Sequence, residues 1–299
     1  RAAQRRRVAD GFTFNGPQGI LEARLSELAP VVNVTAVVST EVNFHGFARE
    51  ATSVPFNKGF LHWSIPPKDF EPCRGEDGAI QEWCAASFAK NSVAEVLELA
   101  DLGDEDWIVF SDADEIPDRE AVRLLHECEL PVGAGSPAGG DGALFVRLQS
   151  RAHYLYNLRC PAHTSEWTDS LRGPIAMKAK TMRTFGFVHF QSKGAKDCYT
   201  KGVYASCWRG PGWRTENMLL LECSAWHLSH FGGHASIMRA TLDNAAAVPL
   251  LGSEQIRRCQ TSEGRNGAFE LLWEAKRDYP DVPHSIAEAP DDYSAFFEF

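Results

Sequence analysis

Two short apolar runs constrain this chain more than any other feature in it. VVNVTAVVS, from Val31 to Ser39, and WIVF, from Trp107 to Phe110, are apolar at so many consecutive positions that neither suits a strand with one wet face. Strands buried on both faces need helices on both sides, and the flanking sequence supplies them. Pro17 to Leu28 sets Ile20, Leu21, Leu25 and Leu28 on one helical face. Residues 79 to 100 carry a second helical pattern that ends in LADLG, directly before WIVF. Pro117 then opens a third, DREAVRLLHECEL, with Asp118 and Glu120 in the first turn, where the helix dipole favours anions. Such alternation predicts an α/β fold with a mixed, mostly parallel central sheet flanked by helices.

The glycine-rich PVGAGSPAGGDG, residues 131 to 142, could pass for a linker. Strand-like ALFVRLQ follows it at once and neither side alone carries a complete pattern, so it reads as a surface loop within one domain spanning 1–299. With 299 residues, 44% of them hydrophobic, the chain can bury roughly three quarters of its unfolded surface in one core. A formal net charge of −10 argues against a general nucleic-acid binder, which needs a basic face to meet phosphates. No run of apolar residues is long enough to span a bilayer, and RAAQRRR lacks the apolar core of a signal peptide. The chain starts at Arg1, so any membrane anchor or targeting segment is expected to lie outside it. Eight cysteines form an even set, which suits an oxidising compartment, while buried reduced thiols remain the alternative. No CxxC pair suggests a cysteine-based zinc site.

WIVF runs directly into Ser111 and then into three carboxylates, Asp112, Asp114 and Glu115. In open α/β sheets the ligand crevice lies beyond the carboxyl ends of the strands, where this strand delivers its acids. Two aspartates at i and i+2 on a tight turn can converge on a hard divalent cation such as Mg²⁺ or Mn²⁺, and that cation can bridge a diphosphate. Against this stands a purely structural role, capping the helix opened by Pro117. An EF-hand would need Gly where Pro117 sits. An Asp-dependent phosphatase also places DxD after a buried strand, but Ile116 departs from its pattern. A zinc hydrolase built on His227, His230 and His234 of HLSHFGGH is disfavoured by Gly232 and Gly233, which break any helix aligning the three.

SDADEIP, followed far downstream by SAWHLSHFGG, resembles glycosyltransferase family 17, the family of the β-1,4-mannosyl-glycoprotein β-1,4-N-acetylglucosaminyltransferase. Phe14 and Asn15, the LEARLSEL helix, VNFHG with Arg49 shortly after it, and VPHSI stand in the family's order. Gly16, Gln18, Asn33, Ser39 and Ala225 depart from its pattern. The resemblance implies a GT-A type nucleotide-sugar-binding fold, a UDP-sugar donor, UDP-GlcNAc, a mannose-containing glycan or glycoprotein as acceptor, and an inverting displacement as in N-glycan processing.

On that resemblance Mn²⁺ or Mg²⁺ is bound through Asp114 directly, through Asp112 by way of water, and through His227 as a neutral imidazole. Asp112, Arg49, Lys90 and Trp226 are the residues expected at the donor nucleotide and its diphosphate. An inverting transfer needs a general base opposite the leaving group, for which Asp169 is preferred over Glu166 in TSEWTDSLRGP. Glu115 is expected to turn towards backbone donors. The family's residence implies a Golgi-lumenal, membrane-anchored protein with at least one disulfide, Cys73 and Cys84 being nearest in sequence. Eight free thiols would instead mean the cytoplasm. The competing reading from another class is a non-catalytic carbohydrate-binding relic of the same fold.

Overall fold

The computed structural model describes residues 6–43, 48–49, 54, 59–76, 78–128, 145–155, 173–185, 218–229, 282–289 and 292–293. Its strands, in chain order, are β1 (Val8–Thr13), β2 (Val34–Thr40), β3 (Phe60–Ile65), β4 (Trp107–Asp112), β5 (Glu115–Pro117), β6 (Phe145–Leu155), β7 (Ile175–Lys178) and β8 (Met218–Ser229). The helices are α1 (Gln18–Leu28), α2 (Glu82–Glu98), α3 (Arg119–Glu127), α4 (Ala179–Phe185) and α5 (His284–Glu288), with a 3-10 helix over Pro67–Cys73. All eight strands lie in one sheet of order β3-β2-β1-β4-β7-β6-β8-β5. The neighbours β3, β2, β1 and β4 run parallel, β6 and β8 run parallel, and the remaining pairs are antiparallel. This is the mixed, helix-flanked α/β sheet expected from the sequence.

The alternation of β1 and β4 divides the core into its faces. Ala9, Ile108 and Phe110 pack with Val93, Val96 and Leu97 of α2. Phe12 packs with Ile20 and Leu21 of α1 and Ile286 of α5, while Val8, Trp107 and Val109 pack with Val122 and Leu125 of α3. Gly11 faces α2 closely enough that an added Cβ would come within 2.7 Å of Val93 and 2.8 Å of Leu97, so glycine here sets how near helix and sheet can approach.

The apolar run from Val31 becomes strand only from Val34, because Asn33 turns its side-chain oxygen to the Val8 amide and fixes the entry of β2 against β1. Pro117, expected to open the third helix, is instead the last residue of β5. Asp118 is the N-cap of α3, its Oδ1 accepting the Glu120 amide at 2.7 Å. The 131–142 loop lies outside the described residues. Among the described residues no helix is long and apolar enough to cross a membrane.

Cys73 and Cys84 form a disulfide that ties the end of the 3-10 helix to the first turn of α2. Both cysteines are buried in the α2-side core, so the link joins elements that already pack together. Thiol titration of the oxidised protein under denaturing conditions is therefore expected to find at least two fewer free thiols than the eight cysteines of the sequence, whereas eight would contradict this pairing.

Candidate functional site

The acidic turn is built from below by one buried cation. Arg24, on the inner face of α1, is 0% exposed, and its partner Asp10 in β1 is 1% exposed. The guanidinium meets the Asp10 carboxylate twice, through Nε at 2.9 Å and Nη2 at 2.6 Å, and stacks 4.3 Å from the Phe12 ring centroid. Nη2 also donates to Ser111 Oγ at 2.7 Å. Nη1 points at the end of β4, donating to the carbonyls of Asp112 at 3.1 Å and Glu115 at 2.7 Å, with that of Ala113 at 3.5 Å. The carbonyl of Asp114 is taken from the other side by the Leu228 amide of β8 at 2.7 Å. Every carbonyl from 112 to 115 thus has a partner, as buried backbone requires.

With its carbonyls held inward, the turn presents alternate side chains differently. Ala113 and Glu115 are buried, while the Asp112 and Asp114 side chains retain 35% and 33% exposure. Glu115 folds back so that its Oε2 faces the Asp112 amide at 3.4 Å, as expected of a residue turned to a backbone donor. Asp118 performs the capping of α3, so Asp112 and Asp114 are not spent on that task. Pairing of β5 with β8 sets Glu115 opposite His227 and brings His227 Nε2 to 3.5 Å from Asp114 Oδ2. Two atoms that each sit about 2.1 Å from one ion are at most about 4.2 Å apart, so this separation fits joint ligation of a divalent cation.

Asp112, at the end of β4, faces α2, which supplies Lys90. Lys90 Nζ is 2.9 Å from Asp112 Oδ1 and 3.2 Å from Oδ2. A cation expected at the diphosphate is therefore within a side chain's length of the acidic turn. Arg49 is half-buried and donates to the Asn15 carbonyl, and its amide bonds the Glu41 carbonyl at 2.9 Å. Glu166 and Asp169 lie outside the described residues, as do His230 and His234.

The placement of Trp226 corrects the sequence reading. Expected at the nucleotide, it is 0% exposed and packs with Phe12, Ile116 and Leu228, its ring meeting His284 edge to face at 6.3 Å. Strand alternation explains this: in β8 the side chain next to His227 points to the opposite face.

Three features carried no readable sequence signal. Arg24 looks like one more charged residue on a surface helix. Ser39 Oγ and His62 Nε2 are 2.9 Å apart across β2 and β3, where burial holds the His62 pKa below its ordinary value; Ser39 is buried, so the pair reads as a structural hydrogen bond. Finally, Glu27, Asp118 and His284 bring possible ligand atoms within 4.8 Å of one another. Glu27, however, is fully buried and already engaged by Arg119 and by the Ser285 amide, the latter at 2.8 Å, so its charge is matched by protein.

Because Trp226 is core, Trp226→Phe is expected to lower folding stability by about 1–3 kcal/mol in urea while leaving nucleotide affinity within about twofold of the unmutated protein. Unchanged stability with weakened nucleotide binding would put the indole at the ligand instead.

No curated protein matches the chain significantly. Among solved structures it is similar to glucosyl-3-phosphoglycerate synthase from Mycobacterium tuberculosis, a complex with Mn²⁺, uridine diphosphate and phosphoglyceric acid. Identity is 14% over 58% of this chain and 56% of that one, with a TM-score of 0.26, a likeness too slight to bear on chemistry here. The chain thus spans little more than half the length of that protein. The model of glycosyltransferase family 17 matches residues 1–184. The helix-flanked mixed sheet agrees with the GT-A type of fold that the sequence led us to expect. With more than half of its length matched, the chain belongs to glycosyltransferase family 17.

Proposed function

We propose that the protein is an inverting, divalent-metal-dependent transferase that moves N-acetylglucosamine from UDP-GlcNAc to a mannose-containing glycan of the kind processed on N-linked glycoproteins. The observation that carries the metal dependence is the approach of His227 to Asp114 at the end of β4. Asp114 and His227 would hold Mn²⁺ or Mg²⁺ directly, with Asp112 beside them acting through water or on the ribose. Such an ion supplies positive charge where the departing diphosphate gathers negative charge.

The chain's own groups complete the task. His227 serves as a ligand only as a neutral imidazole. Lys90 can exchange its contact with Asp112 for a phosphate oxygen, being a flexible point charge on a helix that borders the turn. Arg49 is a second cation for the diphosphate. Asp169, or Glu166 near it in sequence, would take the proton of the acceptor hydroxyl. We take residues 1–299 as one catalytic unit and the Golgi lumen as its compartment, a reading supported by the Cys73–Cys84 disulfide.

If Asp114 and His227 share one ion, their losses overlap. Asp114→Ala and His227→Ala are each expected to reduce Mn²⁺-dependent release of UDP and sugar transfer by ~100-fold or more, with the double variant scarcely worse than the more damaging single one. Multiplying losses would separate the two residues. Full nucleotide affinity in EDTA, measured by calorimetry, would remove the metal. Donor binding without transfer to any mannose-containing glycan would favour the non-catalytic relic.

A further inference from the structure

We infer that Arg24 is a positioning residue for the metal turn: from beneath the sheet it fixes the backbone of Asp112–Glu115 so that Asp114 is held facing His227. This rests on the metal reading above, but the geometry that carries it is independent of any ion. Helix α1 is anchored to β1 by the Arg24–Asp10 pair, and that pair alone would satisfy the buried charge. The guanidinium nevertheless spends its remaining donors on the end of β4: Ser111 Oγ and the carbonyls of Asp112 and Glu115, with that of Ala113 at 3.5 Å. Ser111 Oγ in turn faces the Glu115 carbonyl at 3.2 Å, closing a small buried network around the turn.

A planar guanidinium offers donors in a fixed fork, so its bonds to Asp10 dictate where Nη1 points. The Asp10 carboxylate sits in β1 beside Val109 of β4, and the whole arrangement is therefore referenced to the sheet. The opposite wall is β8, whose Leu228 amide takes the Asp114 carbonyl and whose His227 faces the Asp114 carboxylate. Between these two holds the turn has one way to lie, with Asp112 and Asp114 outward. Lysine at position 24 would keep a charge for Asp10 but, as a single ammonium, could not span Asp10 and the carbonyls together.

The test compares Arg24→Lys and Ser111→Ala with the unmutated protein by Mn²⁺ affinity from EPR titration and by amide hydrogen exchange of residues 112–115 in metal-free protein, with urea unfolding as the stability control. Under conditions where each variant is fully folded, Arg24→Lys is expected to raise the Mn²⁺ dissociation constant about 10-fold or more, and Ser111→Ala about threefold. Exchange in the turn should accelerate in both, while exchange in α2 stays unchanged. Unchanged Mn²⁺ affinity together with unchanged turn exchange overturns the inference, even if stability falls. Should Arg24→Lys fail to fold, Ser111→Ala decides by the same criteria. Should the unmutated protein bind no Mn²⁺, the metal reading fails separately, and turn exchange alone decides whether Arg24 holds the turn.

Discussion

The Arg24–Asp10 pair is the contact on which the arrangement of the site depends. Both groups are almost wholly buried, and a buried charge survives only when its partner and the remaining donors are satisfied. Removing one partner of such a pair costs about 3–5 kcal/mol, because the other is left uncompensated. Here satisfaction of the guanidinium reaches beyond the pair to the end of β4. Folding of the core and shaping of the acidic turn are thereby one event: α1 cannot dock on β1 without bringing donors to the carbonyls of Asp112 and Glu115.

The rest of the site follows from strand geometry. Residues of β4 alternate between the α1 face and the α2 face, so Ser111 meets Arg24 while Asp112 meets Lys90. The short β5 then pairs with β8 and draws His227 to the turn from more than a hundred residues away in sequence. A register shift between β6 and β8, from Leu148 opposite Leu221 to Ser150 opposite Ala225, lies just before that pairing. Cys223, with φ of 51°, falls inside the shift, which gives β8 the extra length a bulge requires. The chain bends there and His227 arrives on the side of Asp114.

Much of this was legible from residue pattern. Apolar runs marked β2 and β4, periodicity marked α1 and α2, and the carboxylates after WIVF marked the crevice end of a strand. What escaped did so for identifiable reasons. β1 was hidden because Asp10 and Gly11 interrupt its apolar pattern, yet each has a tertiary purpose: Asp10 neutralises Arg24 and Gly11 admits α2. β3, FLHWSI, is short and mostly half-exposed, and His62 and Ser64 interrupt its apolar residues, His62 being hydrogen-bonded to Ser39. Pro117 mimicked a helix start, although the cap belongs to Asp118. Trp226 next to His227 invited a ligand role, but neighbours in a strand face opposite ways. Arg24 could not be distinguished from a surface arginine, since only the fold reveals what surrounds it.

The central claim is that this buried network holds Asp114 and His227 to one divalent cation. Pulsed EPR of Mn²⁺ bound to the unmutated protein addresses it most directly, because a coordinated imidazole couples its nitrogen to the metal's electron spin. The account predicts nitrogen modulation from a directly bound imidazole, lost in His227→Ala while other modulation remains. Bound manganese with no nitrogen coupling, or with coupling that survives the loss of His227, would contradict it.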